Sequence, residues 1–174
     1  MFFGDVLGAG RCEGMSWNLR FGLGEDGIQL ILPRIRPVYF NPERNMPYQM
    51  LLVYPTGSVD QNQLLFAVAA YNFANFMVKE FDLALEQAGP ISMLAIKGFI
   101  SFDEIIQYYK MIYGKDGYAT ALNKAVAVLP ISDDNYETLM RGKTLDEYIT
   151  FFDESFGEEL PDLAGRWKAP YGSR

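Results

Sequence analysis

Tyr48-Gln49-Met50-Leu51-Leu52-Val53-Tyr54 runs straight into Pro55-Thr56-Gly57. Met50 to Tyr54 are five apolar residues in succession, which leaves the segment no polar face. That is the pattern of a strand covered on both sides. Working outward, a helical stretch is predicted from Asp60 to about Phe76. Two strand-like runs follow, Phe81–Glu86 and Ile91–Ile96, separated by the turn Gln87-Ala88-Gly89-Pro90. A second helix, Phe102–Tyr113, leads to a last strand, Ala125–Leu129, ending at Pro130. The order β-α-β-β-α-β predicts an α+β domain of the split βαβ, or ferredoxin-like, type with an antiparallel sheet.

The strand patterns agree independently with that order. Met93–Ile96 is apolar at successive positions, as a central strand should be. Phe81-Asp82-Leu83-Ala84-Leu85-Glu86 alternates instead, with Asp82 and Glu86 on a polar face, as expected of a half-exposed edge. Pro130 has no amide to donate and also suits an edge. Helix starts are marked by paired residues: Ser58 with Gln61, Ser101 with Glu104, and Thr144 with Glu147. The first helix should turn Leu64, Leu65, Val68 and Tyr71 to the sheet, and the second Ile105, Ile106, Tyr109 and Ile112. Gly114 is placed to end the second helix in a left-handed conformation. Beyond the sheet, Asp133 or Asp134 caps a short helix, Asn135–Arg141, closed by Gly142. A last helix carries Leu145, Tyr148, Ile149, Phe152 and Phe156 along one stripe.

The flanks read differently. Residues 1–47 form a glycine- and proline-rich arm whose one clear strand is Ile28–Leu32; Pro33 and Pro37 bar it from the centre of a sheet. Residues 48–156 form the domain with its C-terminal helix, and residues 157–174 read as a tail. The central strands are apolar on both faces, so the sheet face without helices needs a cover. The arm, the C-terminal helix and a partner protein are the candidates.

The composition limits the chemistry. With 15 basic against 22 acidic residues and a net charge of −7, the chain is a poor nucleic-acid binder, because phosphate contacts require clustered Lys and Arg. The acids gather after Ser132, where a solvated helix face explains them. There is no histidine, which removes the usual general base and the commonest metal ligand. Cys12 stands alone, so no intrachain disulfide can form. Gly8-Ala9-Gly10 with Gly14 lacks the strand, helix and spacing of a dinucleotide loop. Asp133/Asp134 and Glu158/Glu159 lack the alternating oxygen ligands of a calcium loop. Strand three offers no aromatic platform for RNA bases, and Pro55–Asp60 offers no arginine for a phosphate. No catalytic residue, metal ligand or cofactor site is therefore assigned. No apolar run is long enough to span a bilayer, and Met1–Gly10 makes a poor signal peptide, so any export signal is expected to precede this sequence.

Several segments together resemble a known family. They are Tyr48–Tyr54 with a helix ending Ala70-Tyr71-Asn72-Phe73; Phe81–Leu85 and Ile91–Phe99 with Lys97-Gly98-Phe99; and Ala127–Ile131, Asn135-Tyr136 and Leu145–Phe156. This pattern is similar to the C-terminal domain of tetratricopeptide-repeat lipoproteins of the gliding-motility and type IX secretion apparatus, the SprE/PorW type. The resemblance implies a non-enzymatic assembly role at the periplasmic side of an outer membrane, with other envelope or secretion proteins as partners. No helical repeats precede the domain here, and the glycine-rich arm has no counterpart in the family. The expected function is a protein-interaction module, with Trp17, Ile28, Leu30, Leu32, Asp82, Glu86, Trp167 and Tyr171 as candidate partner-binding residues. A small-ligand-sensing domain, with its pocket near Thr56–Asp60, is the alternative.

Overall fold

The computed structural model describes residues 16–20, 30–34 and 39–171, with side chains over 39–167. The chain divides into two units, residues 1–39 and 40–174. In the first, β1 (Ser16–Arg20) and β2 (Leu30–Arg34) pair antiparallel, with Trp17 opposite Pro33 and Asn18 opposite Leu32. The strand expected at Ile28–Leu32 is thus shifted toward the proline. Pro33 is tolerated because both strands of a two-stranded sheet are edges, where a missing amide need break no ladder bond.

The second unit is built on a four-stranded antiparallel sheet. Its elements are β3 (Tyr48–Pro55), α1 (Gln61–Asn75), β4 (Asp82–Ala88), β5 (Ile91–Phe99), α2 (Phe102–Ile112) and β6 (Ala127–Ser132). The spatial order is β4-β5-β3-β6. The two strands with continuous apolar runs, β3 and β5, are central, and the alternating strand and the proline-bearing strand are the edges. Leu51, Leu52 and Leu94 are fully buried; each contributes about 2 kcal/mol through area removed from water.

One face of the sheet packs on α1 and α2. Tyr48 meets Phe102 at 5.5 Å between ring centroids, and Phe99 meets Tyr108 at 5.0 Å. Gly98 makes the second contact geometrically feasible. Its φ of 121° accompanies a shift of register between Tyr48 and Gln49, so that Lys97 and Phe99, two residues apart, face opposite sides.

The other face is not open. Following β6, α3 (Asp133–Met140) crosses it. Asp133 accepts from Gln49 Nε2 at 3.0 Å, and the Tyr136 hydroxyl donates to Glu86 of the far edge strand. Next come α4 (Leu145–Phe156) and α5 (Leu163–Tyr171). The expected tail therefore contains a helix, in which Leu163 and Trp167 are buried. Residues 40–47 belong with the sheet rather than with the arm. Asn41 and Asn135 exchange two hydrogen bonds, and Arg44 joins Asp103 at 2.7 Å to Glu159 at 2.9 Å while lying over the Phe102 ring.

Several local expectations change. The cap of α1 is Asp60, which accepts from Asn62 and Gln63; Ser58 donates to the Pro55 carbonyl instead. Ser101 caps α2 as expected, but Glu104 reaches the Ile100 amide. Gly114 is not among the glycines with positive φ; Tyr113 ends that helix. Ser132, not Asp133 or Asp134, caps α3. The capping box of Thr144 and Glu147 is present, and Gly142 has the positive φ that closes a helix. Strand β6 continues through Pro130. Its carbonyl accepts from Tyr148 at 2.9 Å, so this residue's polar atoms point away from β3 and the missing amide costs no ladder bond.

Candidate interaction surface

Helix α1 has no charged residue along Gln61-Asn62-Gln63-Leu64-Leu65-Phe66-Ala67-Val68-Ala69-Ala70-Tyr71-Asn72-Phe73-Ala74-Asn75. Its inner side follows the helical period. Leu64, Val68 and Asn72 are buried, with Leu65 and Tyr71 half-buried beside them. The outer side has the same period displaced by half a turn. Phe66 is 73% exposed, Phe73 86%, Met77 91% and Val78 99%. Ala69, Ala70 and Ala74 are exposed among them. Residues 66, 69, 70 and 73 fall on one stripe of α1, and Met77 and Val78 follow just past its end at Asn75. Helix α1 thus presents apolar side chains both to the core and to solvent.

The inner side is anchored rigidly. The Tyr108 hydroxyl donates to Asn72 Oδ1 at 2.8 Å and lies 2.9 Å from the Tyr118 hydroxyl. Burial raises the ionisation of Tyr108 above the ordinary tyrosine range against the opposing pull of its bonds to Tyr118 and Asn72, and burial, then Tyr108, raises that of Tyr118. Tyr71 packs edge-on against Tyr118 at 5.2 Å, and Phe76 against Phe81 at 5.2 Å. The apolar outer face is therefore carried on a fixed support.

The expected binding residues are divided between the two units. Asp82 is exposed on edge strand β4. Glu86 is half-buried, taken by the Tyr136 hydroxyl and by Lys97 at 3.6 Å, because α3 covers the face on which it lies. Burial, then Glu86, pushes the Tyr136 ionisation up. On the apolar side of β4, Phe81 and Leu83 pack against the core, and Leu85 is left 42% exposed. Trp167 is buried and donates to Asp146 at 2.9 Å, which makes it a core residue rather than an interface anchor. Tyr171 is the last residue of α5. Trp17, Leu30 and Leu32 lie in the β1–β2 pair, and Ile28 lies outside the described residues.

The groups near Thr56–Asp60, where a ligand pocket was expected, are engaged locally. Thr56 lies 2.8 Å from Ser92 Oγ, Ser58 bonds to Pro55 and Asp60 caps α1. A cavity of about 440 Å3 lies elsewhere, between Ile91 and Met93 of β5, Leu139 and Met140 of α3, and Trp167. Its polar rim is committed to internal pairs, Lys143 with Glu147 at 3.0 Å and Asp146 with Trp167. Among the described residues no group of three or more acids, cysteines or histidines gathers as a metal site, and no helix is long and apolar enough to cross a membrane.

The α1 surface was missed because Leu64, Leu65, Val68 and Tyr71 already satisfied a core-facing stripe. The signal that could have found it is the absence of any charge over fifteen residues of a chain that is 21% charged. Comparison with known proteins identifies no matching family profile, no matching curated protein and no matching solved structure.

Proposed function

We propose that this chain is a non-catalytic protein-interaction module that works through the outer face of α1. The observation that carries the reading is the uncharged stripe of Phe66, Ala69, Ala70 and Phe73 held on a buried, hydrogen-bonded support. We assign the scaffold to the split βαβ, ferredoxin-like type. The succession β3-α1-β4-β5-α2-β6 and the antiparallel order β4-β5-β3-β6 support that assignment. The resemblance of Tyr48–Phe156 to the SprE/PorW-type domain supports a place in a cell-envelope assembly, with gliding motility or type IX secretion as the setting.

The reading is tested by installing a photoreactive phenylalanine at Phe73 in the full chain, in the cells that make it. A control carries the same group at exposed Glu154 of α4. A discrete protein adduct at position 73, lost when Phe66→Glu is added, is expected. Equal or absent labelling at the two positions counts against the reading.

A further inference from the structure

We infer that the occupant of the α1 outer face is a second copy of this chain, packed helix against helix about a two-fold axis. The inference rests on the reading of that face as an interaction surface and names its partner.

The side chains of the stripe are symmetric along α1. A closed dimer of identical chains uses the same patch twice, so the patch must fit its own rotated image. The stripe does so about a point between Ala69 and Ala70. Phe66 lies three and a half residues to one side and Phe73 the same distance to the other. Rotation about that point sets Phe66 of one copy against Phe73 of the second and leaves the two alanines at the axis. Small residues at the crossing allow helix axes to approach to about 8 Å, with the large rings filling the space on either side.

Charge also favours this pairing. Each copy carries a net charge of −7, and the acids after Ser132 include Asp133, Asp134, Glu137, Asp153 and Glu154. Like charges set face to face oppose association, so two copies meet best where neither presents a charge. The whole of Gln61–Asn75 meets that requirement. The same acidity disfavours an anionic lipid surface as the occupant, since amphipathic helices that lie on such surfaces carry Lys and Arg on their polar side.

Phe66 and Phe73 each offer on the order of 150 Å2 of exposed surface, and Met77 and Val78 adjoin the end of α1 at 91% and 99% exposure. With the exposed alanines these surfaces count toward the ~800 Å2 per partner of a standard interface.

The test uses the full chain. Sedimentation velocity from low to high micromolar concentration should show a concentration-dependent species of twice 19.7 kDa, reduced at least tenfold in association constant by Phe73→Glu. In a Cys12→Ser background, Ala70→Cys lies at the axis and should form a disulfide dimer under mild oxidation. Gln63→Cys lies away from its mate and should not. Circular dichroism checks that each variant is folded. A monomer at every concentration, or a dimer indifferent to Phe73→Glu and linked equally well from position 63, overturns the inference. A monomeric chain whose Phe73 photoadduct contains a different protein overturns the self-pairing alone. A monomer without any adduct removes the interaction surface as well.

Discussion

Tyr108 and Tyr54 are both buried, yet their hydroxyls stand differently. Tyr108 bonds to Asn72 and Tyr118, whereas the Tyr54 hydroxyl lies beside Gln61 without a hydrogen bond of good geometry. Removing a hydroxyl should therefore have opposite effects at the two sites. Tyr108→Phe leaves the Asn72 amide without its partner and is expected to cost about 1–3 kcal/mol in urea denaturation. Tyr54→Phe is expected to be neutral or to stabilise by up to about 1 kcal/mol. The sequence places Tyr54 in an apolar run and leaves Tyr108 outside the core-facing stripe expected of α2, since periodicity places a ring but does not say where its hydroxyl ends. The same limit explains Glu86. Alternation put it on the polar side of β4, and only the path of α3 over that side gives it Tyr136 and Lys97 as neighbours.

At the scale of elements, α1 separates burial from function. Val68 is fully buried and Phe73 is among the most exposed apolar residues described. Val68→Ala is expected to lower stability by about 1–3 kcal/mol, while Phe73→Glu should change monomer stability by less than about 0.5 kcal/mol. Thermal and urea denaturation at dilute concentration checks both; a large loss from Phe73→Glu would mean that the ring packs inside the same chain. Helix α4 is legible from its residues alone. Thr144 and Glu147 form the reciprocal cap, and Tyr148, Ile149, Phe152 and Phe156 are buried as their spacing implies. Thr144→Ala should cost about 1 kcal/mol in the same assay. Helix α5 was illegible for an equally physical reason. Gly165 and Pro170 lower its intrinsic helicity, and burial of Leu163 and Trp167 against the domain overrides that preference. Strand β6 ran past its predicted end because Pro130 sits where its nitrogen faces away from the ladder, a matter of register that proline alone does not reveal.

For the molecule as a whole, the missing histidines and the buried tyrosines together set the pH response. Burial pushes the Tyr48 ionisation from 10.0 up to about 12, and Tyr108, Tyr118 and Tyr148 are also raised. The neutral form is thus favoured in the folded state. This stabilisation is complete below the unfolded value near 10 and is lost as pH rises through the folded values. With no histidine to titrate, melting temperature should stay nearly level from about pH 6 to 9 and fall steeply above about pH 10. A pronounced step near pH 6.5 would contradict this. The sheet order was readable because β3 and β5 are apolar on both faces and β4 is not, but the cover of the second face was not. It depends on α3 turning back after Ser132, and on residues 40–47 joining Asn135 and Glu159 from far away in sequence. The pairing proposed for α1 sets its outer face against that of a second copy. Its most direct test is the effect of a soluble paramagnetic chelate on side-chain resonances of Phe66, Phe73 and Met77 as the full chain is concentrated. Strong broadening at low concentration that gives way to protection, with exposed Glu154 broadened throughout, is the predicted result. Phenylalanine signals broadened equally at every concentration would contradict it.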